Sequence, residues 1–266
     1  MQRPLIAAAS LSAAAIVALA ASALAQQGQL QLPGGGLKPP PPPPVRPYQQ
    51  VAVTPPAPFD DPSFVAFRKQ LADVVAHKDR AALAKLVVTQ NFFWFQDKDL
   101  ADKRKSGIDN LAKAIDLDAK GAPGWDTLAE FADEPSAAES PQQRGTYCAP
   151  ADPGIDAKAF VALGQATGTD PSDWAYPSKD GIDVRAAAPP NAPVIEKLGS
   201  VLFRVLPDSG QQDDPNQPLV LHVATPSGKT GFVDAAAVAP LVADEICYAK
   251  DAGGWKIVGY LGGVAQ

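Results

Sequence analysis

From residue 61 onward the chain runs in two hydrophobic rhythms. In the first, Phe64, Phe67, Leu71, Val74 and Val75 recur three and four positions apart, the spacing of one helical face. Asp61 and Pro62 stand just ahead, an N-cap carboxylate and a first-turn proline, so a helix is predicted from that point. Asp79 caps a second helix carrying Leu83, Leu86 and Val87. Ile108, Leu111, Ile115 and Leu117 mark a third, and Trp125, Leu128 and Phe131 a short fourth. Asp156 to Gly164 reads as a last short helix, capped by Asp156 and stopped by Gly164. Between these, Asn91 to Phe95 is short and aromatic. It is predicted to be a buried strand or core plug, with a stacking platform for a sugar or base as the alternative use. Such platforms need a basic groove. Here Lys98, Lys103, Arg104 and Lys105 alternate with Asp97, Asp99 and Asp102, which describes a solvated loop. Residues 133–155, rich in Pro, Ser, Ala and Gln, are predicted to be a loop containing Cys148.

The second rhythm begins near Trp174, where short runs of period two are separated by turn residues. Ile182–Ala186, Ser200–Leu206 and Leu219–Thr225 alternate, and Pro189–Pro193 is a turn-rich loop. Ile246–Lys250, Asp251–Gly254 and Trp255–Leu261 read as a β-hairpin. Several short strands in so few residues suggest a small barrel. The predicted class is α+β: a mostly helical domain over 59–170, then a β-barrel with an extra terminal hairpin over 174–266.

Two stretches of this β region, "DVRAAAPPNAPVIEKLG" and "PSGKTGFVDAAAVAPL", resemble the bacterial SH3-like (SH3b-type) domain. The first is similar to that family's opening strand and long loop. The second is similar to its G-K-x-G-aromatic-V signature, in which glycines bend the chain, the aromatic enters the core and a short 3₁₀ turn leads to the last strand. The resemblance implies recognition of a peptide, peptidoglycan or an envelope protein. Trp174 and Tyr176 are the candidate groove residues, with core packing as their alternative use. Residues 207–218 read as a long polar loop, and the Trp that often opens the next strand is absent, so a groove built on that Trp is not expected. Over 61–95, the order helix, capped helix, aromatic strand is similar to the opening of the NTF2-like cone fold, which would imply a small-molecule pocket instead. A structural or accessory role with no groove is the third reading.

The ends and the charge place these domains. Arg3, the uncharged run Leu5–Ala20 and Ala23-Leu24-Ala25 read as a secretory signal peptide over 1–25, cut between Ala25 and Gln26. Residues 26–58, with Gly34–Gly36 and six prolines from Pro39 to Pro44, read as a disordered, semi-rigid spacer. No other apolar run is long enough to span a bilayer, so a periplasmic or secreted protein is expected, without stable membrane insertion. The chain has 23 basic and 29 acidic side chains; removal of Arg3 leaves a net charge of −7, which disfavours nucleic acid as a partner. In an oxidising compartment Cys148 and Cys247 are expected to pair.

Little footing exists for chemistry. Gly228-Lys229-Thr230 spells the tail of a phosphate loop, but the required first glycine is Val223 and a strand-forming Gly231-Phe232-Val233 follows in place of a helix. It is read as a turn, with Lys229 toward solvent and Phe232 in the core. Asp116–Gly121 opens like a calcium loop, yet its fifth and twelfth positions are Lys120 and Thr127, which cannot serve as ligands. The two histidines, His77 and His222, lack zinc spacing. The acidic pairs Asp60-Asp61, Asp133-Glu134, Asp213-Asp214 and Asp244-Glu245 are read as surface charge. No enzyme activity, nucleotide, cofactor or metal is expected.

Overall fold

The computed structural model describes residues 45–179, 181–188, 190–207 and 219–263. The predicted signal peptide with its Ala25–Gln26 site, the proline run and Asp213-Asp214 lie outside the described residues. In chain order the elements are β1 (Val53–Thr54), α1 (Pro62–Ala76), α2 (Arg80–Leu86), β2 (Phe93–Gln96), β3 (Lys98–Asp99), α3 (Gly107–Ala114), α4 (Gly124–Asp133), β4 (Ala138–Glu139), β5 (Thr146–Ala149), β6 (Gly154–Ile155) and α5 (Ala157–Thr167). There follow β7 (Trp174–Pro177), β8 (Ile182–Arg185), β9 (Val194–Leu198), β10 (Phe203–Val205), β11 (Val220–Ala224), β12 (Thr230–Asp234), β13 (Val238–Pro240), β14 (Glu245–Asp251) and β15 (Gly254–Leu261). The class is mixed α+β, with open sheets.

Local chemistry places the helix starts where the sequence predicts them. The Asp61 carboxylate accepts from the N–H groups of Ser63 and Phe64, and Asp79 does the same for Ala81 and Ala82, satisfying donors that the first turn leaves orphaned. Asp156 caps α5 likewise, but that helix runs through Gly164 and ends at Gly168, which takes the left-handed conformation at φ 62°. A glycine within an otherwise apolar turn costs the helix too little to end it.

The strands form two large sheets. One contains β13-β7-β10-β11-β12-β8-β9 in that order, all from residues 174–240. Its core holds Val184, Phe203, Val223 and Val233. The other contains β3-β2-β15-β14-β5-β4. The terminal hairpin, expected beside the other C-terminal strands, therefore lies at the centre of a sheet whose remaining members come from 93–149. The loop expected over 133–155 supplies β4, β5 and β6. Apart from Thr146 and Tyr147, its residues are poor in β-propensity, and pairing with an existing strand edge orders them.

Helices α1–α4 cover one face of this six-stranded sheet. Phe64, Leu71, Leu83, Leu111 and Leu128 pack there with Trp94, Ile246, Tyr248, Ile257 and Tyr260. The start of α1 is tied to the hairpin by Ser63, whose Oγ accepts from Trp255 Nε1 at 2.9 Å and from Lys250 Nζ at 2.7 Å. Residues 45–58, expected to be spacer, are packed. Val51 and Val53 are buried with Trp174 and Leu202. Tyr48 donates to the Ala224 carbonyl at 2.9 Å, and β1 pairs with β6. Prolines have little conformational freedom to lose, so three apolar side chains suffice to dock the segment.

Candidate functional site

Strand alternation sends successive residues of the six-stranded sheet to opposite faces. Trp94 and Tyr260 face the helices. Their neighbours face away, and the register aligns them in two rows. Phe93 lies beside Gly259, Gly259 opposite Cys247, and Cys247 opposite Cys148. Phe95 lies beside Leu261, and Leu261 opposite Glu245. Cys148 and Cys247 are joined at 2.02 Å across a sequence separation of 99, as expected.

Above this open face lies a cavity of about 680 Å³ lined by Phe93, Trp94, Phe95, Leu261 and Cys148, with Asp97, Asp99, Ser140, Gln142 and Gln143 among its polar lining. Gly259 shapes its floor. A Cβ there would lie 2.2 Å from the Phe93 ring, so the ring crosses the strand where no side chain stands. Phe95 remains 43 % exposed. The aromatic run forms a strand, but not the buried one its composition predicts: only Trp94 of β2 is buried, and Phe93 and Phe95 line an apolar recess.

The same face continues past the disulfide into a second, polar cleft of about 390 Å³ between the two sheets. Glu134, Asp152, Glu245 and Tyr176 line it, with walls of proline and alanine. Burial first, and the charge of Asp152 second, raise the Glu245 carboxyl to about 7. Burial also raises Asp152. Burial raises the Tyr176 hydroxyl, with Glu134 and Asp152 adding to it.

The predicted groove pair is divided. Trp174 is 1 % exposed. Its indole N–H donates to Thr169 Oγ1 at 2.9 Å, and its ring meets Tyr48 edge-on at 5.2 Å. Tyr176 is buried too, but at the wall of the cleft. The turn at Gly228 is as read: Thr225 and Lys229 close it, and Gly228 has φ 82°, with Pro47 packed 2.9 Å from where a Cβ would be. Lys229 is exposed, as expected, and its Nζ donates to the Ile195 carbonyl at 3.1 Å. One detail differs from expectation. Phe232 is only half-buried and stacks on His222 at 4.9 Å, because alternation gives Val233 the core position.

Not all the acidic pairs are plain surface charge. Asp61 caps α1, Asp244 accepts from Tyr260 and from the Gly263 N–H, and Glu134 accepts from Ser136 N and Oγ at 2.7 and 2.5 Å. Glu245 was missed as a site residue. The available signal was its position two before Cys247, which puts it on the cysteine's face. Cys148, Glu245 and Cys247 present ligand-type atoms within 4.8 Å of one another, but both sulfurs are consumed by their mutual bond. Comparison with family models, with curated proteins and with solved structures gives no match.

Proposed function

We propose that this chain is an exported binding protein, without chemistry of its own, that holds an apolar small molecule on the open face of its six-stranded sheet. The observation that carries this reading is the cavity of about 680 Å³ walled by Phe93, Phe95 and Leu261. Its size and its apolar wall with a few polar rim groups are those of a small-molecule site. The order of helices and aromatic strand over 61–95 supports the NTF2-like reading of this half. Export to the periplasm or beyond rests on residues 1–25. No described helix is long and apolar enough to cross a membrane.

The test is fluorescence titration with N-phenyl-1-naphthylamine. Saturable, blue-shifted emission is expected, weakened about tenfold by Phe95→Glu, since the change loses apolar burial and places a charge in the site. Emission that does not saturate, or that the variant leaves unchanged, would sink the proposal.

A second reading has its own support. The strand order of residues 174–240 and the short 3₁₀ turn Ala235–Ala237 before β13 support an SH3-like module that engages a peptide, peptidoglycan or an envelope protein. With Trp174 buried, its contact surface would centre on Phe232, beside Arg185 and Asp183. Co-sedimentation with purified sacculi, reduced by Phe232→Ala, is the expected result. Absence of co-sedimentation removes peptidoglycan as the partner.

A further inference from the structure

We propose that the apolar recess takes an organic cation, an ammonium or quaternary ammonium head on a hydrocarbon body, with the body on Phe93, Phe95 and Leu261 and the head beside the carboxylates of Asp97 and Asp99. The inference rests on the reading of that recess as a small-molecule site and adds the charge of the molecule it takes. The geometry comes from strand register. Leu261 stands beside Phe95, and Phe95 stands opposite Asp99. An aliphatic side chain, an aromatic ring and a carboxylate therefore follow one another across one face of the sheet. Directly opposed side chains lie about 5 Å apart at Cβ, which sets Asp99 next to the exposed Phe95 ring. Asp97 alone joins β2 to β3, with φ 56°, and lines the same recess. Lys98 stands opposite Gln96 in the alternate row and is not among the described lining residues.

The charge of the recess is one-sided. No Lys, Arg or His is among its described lining residues, and its other polar groups, on Ser140, Gln142 and Gln143, are neutral. The Asp97 side chain has no hydrogen bond or ion pair among the described residues, and the Asp99 carboxylate accepts only from the Ala101 N–H, at 3.1 Å. An anionic amphiphile would set its head against two carboxylates with no counter-charge in reach. A cation gains twice, from the carboxylates and from the faces of the aromatic rings, which attract positive charge within about 6 Å. Two exposed acids by themselves would be ordinary surface charge. Their place at the rim of a cavity of about 680 Å³, beside apolar walls of the kind small molecules occupy, is what gives them a ligand to select. The same hydrocarbon walls match an alkyl body and not the hydration shell of a metal ion.

The experiment is displacement of N-phenyl-1-naphthylamine from the full chain by octyltrimethylammonium and by octanoate, at neutral pH and low ionic strength. The competitors have similar tails and opposite heads. The cation is expected to displace the dye at about tenfold lower concentration than the anion, since two exposed carboxylates attract one head and repel the other. Asp97→Asn with Asp99→Asn should reduce that ratio to about twofold, and Asn tolerates the left-handed backbone of position 97. Asp126→Asn with Glu130→Gln, which removes the same charge from exposed positions of α4, should keep the ratio. The ratio is read within each protein, so a variant that merely loosens the recess does not move it. Dye that does not saturate sinks the recess as a site, and this inference with it. Saturable dye displaced equally by both competitors, more readily by the anion, or by neither, overturns the cation assignment alone. A tenfold ratio that survives Asp97→Asn with Asp99→Asn, or that the α4 variant abolishes as well, overturns it too.

Discussion

The two sheets are assembled by opposite routes. Every strand of the seven-stranded sheet comes from residues 174–240, and three of its six neighbouring pairs, β8-β9, β10-β11 and β11-β12, are consecutive in the chain. The six-stranded sheet places β14 and β15 between strands that precede the other sheet in the chain, so its centre closes only after that other sheet has been synthesised. Local pairing incurs little loop-closure entropy, and distant pairing incurs more. The disulfide sits where the cost is highest, joining β5 to β14. The apolar recess opens from the face of this non-local sheet, so its lining is drawn from segments as distant as Phe93 and Leu261.

The largest expected effect tests the asymmetry directly. A chain ending before Glu245 loses the two central strands of one sheet and no strand of the other. Hydrogen exchange should show protection lost throughout α1, β2 and β5 while β11 and β12 stay protected. Equal loss in both sheets would make the molecule a single cooperative unit and erase the contrast. Next is reduction of Cys148–Cys247. Freeing a loop with a sequence separation of 99 should lower the unfolding free energy by about 4 kcal/mol in the chain-entropy account. Denaturant titration with and without dithiothreitol measures this, and a change below about 1 kcal/mol would mean the hairpin is held by packing alone.

Gly259→Ala sharpens the comparison at one position. Its methyl group must displace the Phe93 ring, costing about 1–3 kcal/mol by overpacking and deforming the recess. Unchanged stability together with unchanged dye binding would show that the ring does not lie across the strand.

The pH dependence comes from Glu245. Its folded value near 7 stands above the ordinary 4.5, so the folded chain holds the extra proton. That stabilisation is complete below about pH 4.5 and is lost as pH rises through 7. From pH 5 to 8 it should fall by about 1–2 kcal/mol, discounted for partial solvent exposure, and Glu245→Gln should flatten the profile. Parallel profiles in the two proteins would remove Glu245 as the source.

The smallest effect is Tyr248→Phe. Tyr248 is fully buried and its hydroxyl has no partner among the described residues. Deleting the oxygen should leave stability unchanged or raise it by up to about 1 kcal/mol. A clear loss would reveal a hydrogen bond to that hydroxyl.

Much of the fold was legible in residues 61–133 because cap carboxylates and helical spacing act over one or two turns. The hairpin 245–261 was legible for the same reason: its turn and alternation are local. The docking of Tyr48, Val51 and Val53 was not, because a proline-rich segment carries the same composition whether it is free or docked. Neither was strand β5, whose Thr146–Ala149 becomes a strand only against β14.

The sequence by itself determined the helices, the hairpins, the turn at Gly228 and the pairing of its two cysteines, since each follows from neighbouring residues or from there being only two thiols. Only the tertiary structure decided which sheet receives the terminal hairpin. It also decided that Phe93 and Phe95 face outward while Trp94 faces in, and that Glu134, Asp152, Glu245 and Tyr176 share one cleft. Those are questions of register between distant segments, where a shift of one residue reverses every side chain, and no local pattern encodes them.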